Sequence, residues 1–191
     1  RFYDISKGDI LVDGVSTREI SKYDLRRQIS LVQQDVFLFS GNILDNIRLG
    51  NPNLELAEVE SVAQVVHSHH FINRLPGKYE QDIRERGATL SLGQKQLLSF
   101  SRALAADPRI LVLDEATSSI DTETERHIQQ ATRELIRGRT SIIIAHRLST
   151  LKHVDKILVL KEGMIAEFGT QKELLRKEGI YRKLYDLQAA S

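Results

Sequence analysis

Two adjacent carboxylates close an apolar run in Ile110-Leu111-Val112-Leu113-Asp114-Glu115. Four apolar residues in a row read as a buried strand, and in a parallel sheet the ligand crevice lies at the carboxyl ends of the strands. Successive strand residues point to opposite faces, so the two acids meet different surroundings and can do different work. One can hold a hydrated Mg²⁺ while the other polarises a water for attack on a phosphate. A strand that simply stops at a polar loop has the same appearance. A second run, Ser141-Ile142-Ile143-Ile144-Ala145, ends in His146. Its neutral imidazole could donate to a terminal phosphate oxygen, or merely end the strand on a polar group. Gln34 follows the run Ile29 to Val32 in the same way.

Leu90-Ser91-Leu92-Gly93-Gln94 supports two readings through one geometry. Ser91 and Gln94 have the S-x-x-Q spacing of a capping box, which satisfies orphan amides at a helix start. A small Ser and a Gly at a helix N-terminus also let an anion approach free backbone N–H groups. Other polar clusters read as surface. His67, His69 and His70 stand at a helix end without acidic or thiol partners, and Arg26-Arg27 and Arg137 to Arg139 look like solvated faces.

The elements that must position these residues follow from the hydrophobic pattern. Ile10 to Val12 before Asp13-Gly14 reads as a short strand and turn, Tyr23 to Arg27 as a helix, and Ile29 to Val32 as a strand. From Asp35 to about Ala106 no strand is legible. Leu56, Val59, Ala63 and Val66 mark one face of a helix over Glu55 to His67, and Leu97, Phe100 and Leu104 mark another over Ser91 to Ala106. After Pro108 the pattern alternates: strand Ile110 to Leu113, helix Asp121 to Arg137 stopped by Gly138, strand Ser141 to Ala145. Apolar runs of this kind predict a parallel sheet covered on both faces. Ile157 to Leu160 and Met164 to Phe168 flank Lys161-Glu162-Gly163 and predict a hairpin. Helices at Glu173 to Arg176 and Tyr181 to Leu187 close the chain.

Composition narrows the class. The chain has 191 residues, 41% hydrophobic and 28% charged, enough for one globular domain. With 27 basic and 26 acidic residues the net charge is +1, which gives no electrostatic case for nucleic acid as a partner. The absence of cysteine removes disulfides, thiolate metal sites and thiol redox chemistry, and suits a reducing compartment. Apolar runs stop at four residues, far short of the roughly 20 needed to span a bilayer. Opening on Arg1 rather than Met, the chain reads as one that began earlier.

It is the set and its order that resemble a known family. Val32-Gln33-Gln34-Asp35, Leu90 to Gln94, Ile110 to Glu115, Ser118-Ser119-Ile120-Asp121 and His146 are similar to the Q-loop, signature, Walker B, D-loop and H-loop of ABC ATPases, through nearly the whole chain. Phe37-Leu38-Phe39-Ser40-Gly41-Asn42-Ile43, Glu85-Arg86-Gly87 and the ending Gly179-Ile180-Tyr181 to Leu187 resemble the exporter branch, whose cassettes are fused to a membrane domain.

The resemblance implies an α/β P-loop NTPase core of the ABC type, incomplete at its N-terminal side. Residues 1–34 and 107–191 would be the remainder of that core, and 35–106 an inserted α-helical signature subdomain. It implies ATP and Mg²⁺ as cofactors. Asp114 would bind Mg²⁺ through water, Glu115 would act as catalytic base, Gln34 would sense Mg²⁺ and the attacking water, and His146 would contact the γ-phosphate. Two cassettes, alike or different, would meet head to tail. Ser91, Gly93 and Gln94 would then touch ATP held by the opposite cassette, and Asp121 would carry signals across the interface. The whole would drive export from the cytoplasmic face of the cell membrane, through a transmembrane domain. A non-transport ABC ATPase and a cassette that only docks or regulates are the alternatives.

Three departures from the family pattern stand out. Leu92 and Arg84 occupy places often held by Gly, and no G-x-x-x-x-G-K-[ST] occurs anywhere in the sequence. That loop's amides and Lys cradle the phosphates, so the 191-residue chain alone is expected neither to bind ATP tightly nor to hydrolyse it.

Overall fold

The computed structural model describes residues 1–114, 122–145, 151 and 154–189, with backbone alone at 122, 123 and 189. The chain forms two compact units, Arg1–Ile144 and Ala145–Ser191.

The first unit opens with a hairpin of β1 (Leu11–Val12) and β2 (Val15–Ser16). Asp13-Gly14 makes its turn, with both residues at positive φ. Next comes α1 (Lys22–Arg27), started by Ser21, whose hydroxyl accepts from the amide of Asp24 at 3.1 Å. The sheet that follows has the order β3–β4–β5, all parallel, from β3 (Ile29–Val32), β4 (Ile110–Asp114) and β5 (Thr140–Ile144).

Between β3 and β4 every regular element is helical: α2 (Ile43–Arg48), α3 (Leu56–Val65), α4 (His69–Ile72), 3-10 turns at Lys78–Glu80 and Glu85–Gly87, and α5 (Leu92–Ala105). These elements close over a core that includes Leu38, Ile43, Ile47, Val59, Ile72 and Leu98. The face read for α3 is buried at Val59, Ala63 and Val66, while Leu56, at the first helical position, is exposed. The stripe read on α5 is too narrow. That helix lies between two cores, turning Leu98 and Ala105 to one and Leu97, Phe100 and Ala103 to the other, so few of its residues stay wet.

One face of the sheet is covered. Val32, Leu111 and Leu113 pack with Leu97 and Phe100 of α5 and with Ile128, Ala131 and Leu135 of α6 (Thr122–Ile136). Gly138 at φ 70° follows α6 and reverses the chain into β5. The other face departs from expectation. Paired residues of a parallel sheet share a face, and on this one Leu31, Ile142 and Ile144 are 55%, 56% and 48% exposed. No described residue within 1–144 covers them fully.

The second unit holds the hairpin of β6 (Ile157–Lys161) and β7 (Met164–Gly169), turned by Glu162-Gly163. Helices α7 (Gln171–Arg176) and α8 (Ile180–Ala189) follow. Thr170 and Glu173 form a reciprocal capping box on α7, and Glu167 accepts from the amides of Ile180 and Tyr181 at the start of α8. Ile157, Leu174 and Tyr181 make this unit's core.

Candidate functional site

Strand register decides which chemical groups share an edge. Val32 pairs with Leu113, Leu113 with Ile143, and Asp114 with Ile144, so the three strands end level. Asp114 is the last residue of β4, and Gln34 lies two residues beyond β3 in an exposed position. Asp114 points to the open face, the side of Val112, Ile142 and Ile144; it is half-buried and engaged with neighbours. Glu115, Asp121 and His146 lie outside the described residues. By sequence Glu115 directly follows Asp114, and His146 comes two residues after Ile144.

Ser91 and Gln94 sit where a capping box requires. The Ser91 hydroxyl accepts from the amide of Gln94 at 3.3 Å, and the amide of Ser91 donates to the Gln94 side chain at 3.0 Å. The box meets the needs of one helical amide. Leu92 and Gly93 hold first-turn positions, where N–H groups have no intrahelical acceptor and can serve an anion. Helix α5 runs back along the sheet: the Ser30 hydroxyl donates to the carbonyl of Ala103, near the helix end, while Val32 shares a cluster with Leu97 and Phe100. The N-terminus of α5 therefore projects past the level of Val32, extending roughly 8 Å beyond Leu97 at 1.5 Å per residue.

A polar knot that the motif reading missed joins these regions. Arg102 donates to the carbonyls of Asn46 and Phe37, each at 3.0 Å, and to the Asn46 side-chain oxygen at 2.9 Å. Asn46 is 2% exposed; its amide donates to the carbonyls of Phe39 and Asn42, and its oxygen accepts from the amide of Phe39. Burial pulls the Arg102 guanidinium below its ordinary pKa. The knot presents Phe37 and Phe39 at the surface as an edge-to-face pair, centroids 5.0 Å apart. The available signal was Asn46 beside Asp45 between the apolar Leu44 and Ile47, and one Arg between Ser101 and Ala103 of α5.

The surface clusters divide. Arg26 and Arg27 are exposed, lying over the rings of Phe2 and Tyr23. Arg139 is not a solvated face: it pairs with Asp107 at 3.0 Å and donates to the carbonyls of Pro108 and Leu135, pinning the end of α6 beside β4. The histidines separate as well. His69 bonds the Tyr79 hydroxyl at 2.7 Å, whereas His67 stacks on His127 and its buried Nε2 has no partner. Among the described residues no three His, Cys, Asp or Glu side chains gather as a metal site. An open cleft of about 660 Å³ lies along β3, away from the level strand ends, between α1 and α5.

The comparisons with known proteins agree with one another. The sequence profile described as "ABC transporter" matches residues 1–118. The uncharacterized ABC transporter ATP-binding protein YknV of Bacillus subtilis is 51% identical over 188 residues, which are 98% of this chain and 31% of that protein. A Staphylococcus aureus protein, provisionally named as a multidrug export ATP-binding/permease protein, is 49% identical over 98% of this chain and 32% of its own length. Among solved structures, a bacterial Atm1-family ABC exporter with ATP bound superposes with a TM-score of 0.92 at 42% identity, covering 100% of this chain and 33% of that one. The chain spans about a third of the length of these relatives. No helix among the described residues is long and apolar enough to cross a membrane. The α/β fold is that of an ABC-type P-loop NTPase, and the chain belongs to the ABC transporter family.

Proposed function

We propose that this chain belongs to the ATP-binding cassette of an exporter, which couples ATP hydrolysis to transport across a membrane. The observation that carries the reading is the level ending of three parallel strands, with Asp114 at the end of β4 and Gln34 just beyond β3. In this reading residues 35–106 are the helical signature subdomain, and 1–34 with 107–191 belong to the ATPase core. The stretch between β3 and β4, whose regular elements are all helices and which has its own core, supports that division.

The residues present fit Mg²⁺ beside the phosphates of ATP. Mg²⁺ keeps most of its waters and takes one or two carboxylates together with phosphate oxygens, so a single acid at a strand end suits it better than a cage of ligands. Bound with ATP, the ion neutralises charge developing on the β- and γ-phosphate oxygens. Asp114 orients the ion's water shell. Glu115, the next residue, accepts a proton from the attacking water, Gln34 helps position that water, and His146 donates to the terminal phosphate. Ser91, Gly93 and Gln94 meet the nucleotide of a second cassette at the N-terminus of α5, and Asp121 lies at that interface. The second cassette is a like or a different chain. A membrane domain places the assembly at the cytoplasmic face, a reading supported by the ATP-binding/permease name of the staphylococcal relative.

Glu115→Gln in the full-length protein keeps the shape and removes the base. It is expected to lower ATP turnover by about 10²- to 10⁴-fold while ATP still binds. Near-normal turnover in that variant would remove Glu115 from its role.

A further inference from the structure

We propose that Arg102, acting through Asn46, is a positioning residue: it locks the segment from Phe37 to Gly50 onto α5, so that the loop leading out of Gln34 and the helix headed by Ser91 shift as one body. The inference rests on the ATPase reading for one of its readouts and on geometry for the rest.

Six hydrogen bonds carry the lock. Three run from the guanidinium to Phe37 and Asn46, and three join the Asn46 amide to Phe39 and Asn42. The three guanidinium bonds tie residues 56 and 65 positions apart in sequence, so neither helix propensity nor local turn chemistry accounts for them. The three Asn46 bonds hold its own loop over four and seven residues. A planar fork with fixed donor directions holds three acceptors at set angles, which an ammonium on a flexible stem does not. Among the described residues no carboxylate pairs with Arg102; its charge is met by three neutral oxygens and by the Phe39 ring, whose centroid lies 5.7 Å from the guanidinium carbon. Any sliding of α2 along α5 leaves a largely desolvated cation short of acceptors, which makes the joint stiff.

A second contact, free of side chains, fixes the far end of the segment. A Cβ on Gly50 would collide with the carbonyl oxygen of Arg102 and lie 2.9 Å from the amide of Ala106. The backbone after α2 therefore rests directly on the last turn of α5. Clamped at Phe37, Asn46 and Gly50, the segment has no independent path, and the two half-exposed phenyl rings travel with the helix. A motion imposed on Phe37 and Phe39 thus reaches the N-terminus of α5, and the reverse.

The chain has no native cysteine, so two can be introduced without competition from it. In full-length protein free of other cysteines, spin labels at Ser40→Cys and Lys95→Cys report the spacing of loop and helix by double electron–electron resonance. With Arg102→Lys and Arg102→Met the distance distribution is expected to broaden, whereas the parent shows one narrow population. In the same proteins without labels, kcat for ATP is expected to fall about tenfold to a hundredfold with KM changed less than about twofold, since misplacement by an ångström suffices for such losses. A residue serving stability alone lowers Tm and leaves the kcat of the folded fraction untouched. An unbroadened distribution in folded Arg102→Lys overturns the proposal, and so does parental kcat in that variant. If Arg102→Met does not fold, Arg102→Lys carries the test alone. If the parent has no ATPase activity but the variant distribution broadens, the ATPase reading fails and the lock stands.

Discussion

At the scale of single residues, the backbone shows what the motif comparison could only flag. Arg84, standing where Gly is often found, adopts φ 58° and ψ −173°, a region that is comfortable for Gly and strained for a residue with a Cβ. Its amide is held by the Asp82 carboxylate at 2.9 Å, so the conformation is enforced locally. Arg84→Gly is expected to stabilise the protein by about 1 kcal/mol, the released strain exceeding the added freedom of the unfolded chain. Urea unfolding checks this; an unchanged or lower midpoint would show that the strain is absent. The same scale explains what was legible in the candidate site. Ser91 and Gln94 were readable because a capping box is written within four consecutive residues. Asp114 was readable because an apolar run points to it. Asn46 and Arg102 were not, because their meaning appears only when two helices far apart in sequence come into contact.

At the scale of elements, length and periodicity separate what the sequence revealed from what it hid. The three parallel strands, α3, α5, α6 and the second hairpin follow their apolar patterns within a residue or two. Helices α2 and α4, of six and four residues, are too short for a 3.6-residue period to register. Of the histidines after α3, His67 was misread for a related reason, since its neighbour His127 comes from α6. His67 leaves α3 at φ 61° and packs on His127, and burial lowers its pKa, with His127 adding to that effect and Glu134 opposing it. The depressed folded value sets the sign of the pH effect. Once pH falls below the unfolded value of about 6.5, the unfolded chain takes up a proton at this site more readily than the folded one, so stability declines. It keeps declining until pH passes the lower folded value. His67→Asn, which tolerates positive φ and does not titrate, is expected to flatten the fall in Tm between about pH 7.5 and about pH 5.5. An equally steep fall in the variant would assign the pH dependence to other groups.

At the scale of the whole molecule, the proposed reading makes the parts described members of a composite. Asp114 stands on the open face of the sheet, beside Ile142 and Ile144, which are about half exposed. An acid so placed can orient a hydrated ion only if the phosphates are held over the same edge by something else. Among the described residues, what the chain offers for that is polar groups at strand ends and the first turn of α5, which projects beyond them. Cradling a triphosphate requires a run of backbone N–H groups and a cation facing it, the arrangement that G-x-x-x-x-G-K-[ST] encodes and that this sequence lacks. The purified 191-residue chain is therefore expected to show no Mg²⁺-dependent ATP hydrolysis above background, and no saturable ATP binding at micromolar nucleotide. Adding a second copy does not alter this expectation, because every copy brings the same helix N-terminus and the same acid while none supplies the missing cradle. Turnover that rises with protein concentration and vanishes in Glu115→Gln would contradict the argument, since it would show that strand ends and α5 together suffice to hold the phosphates.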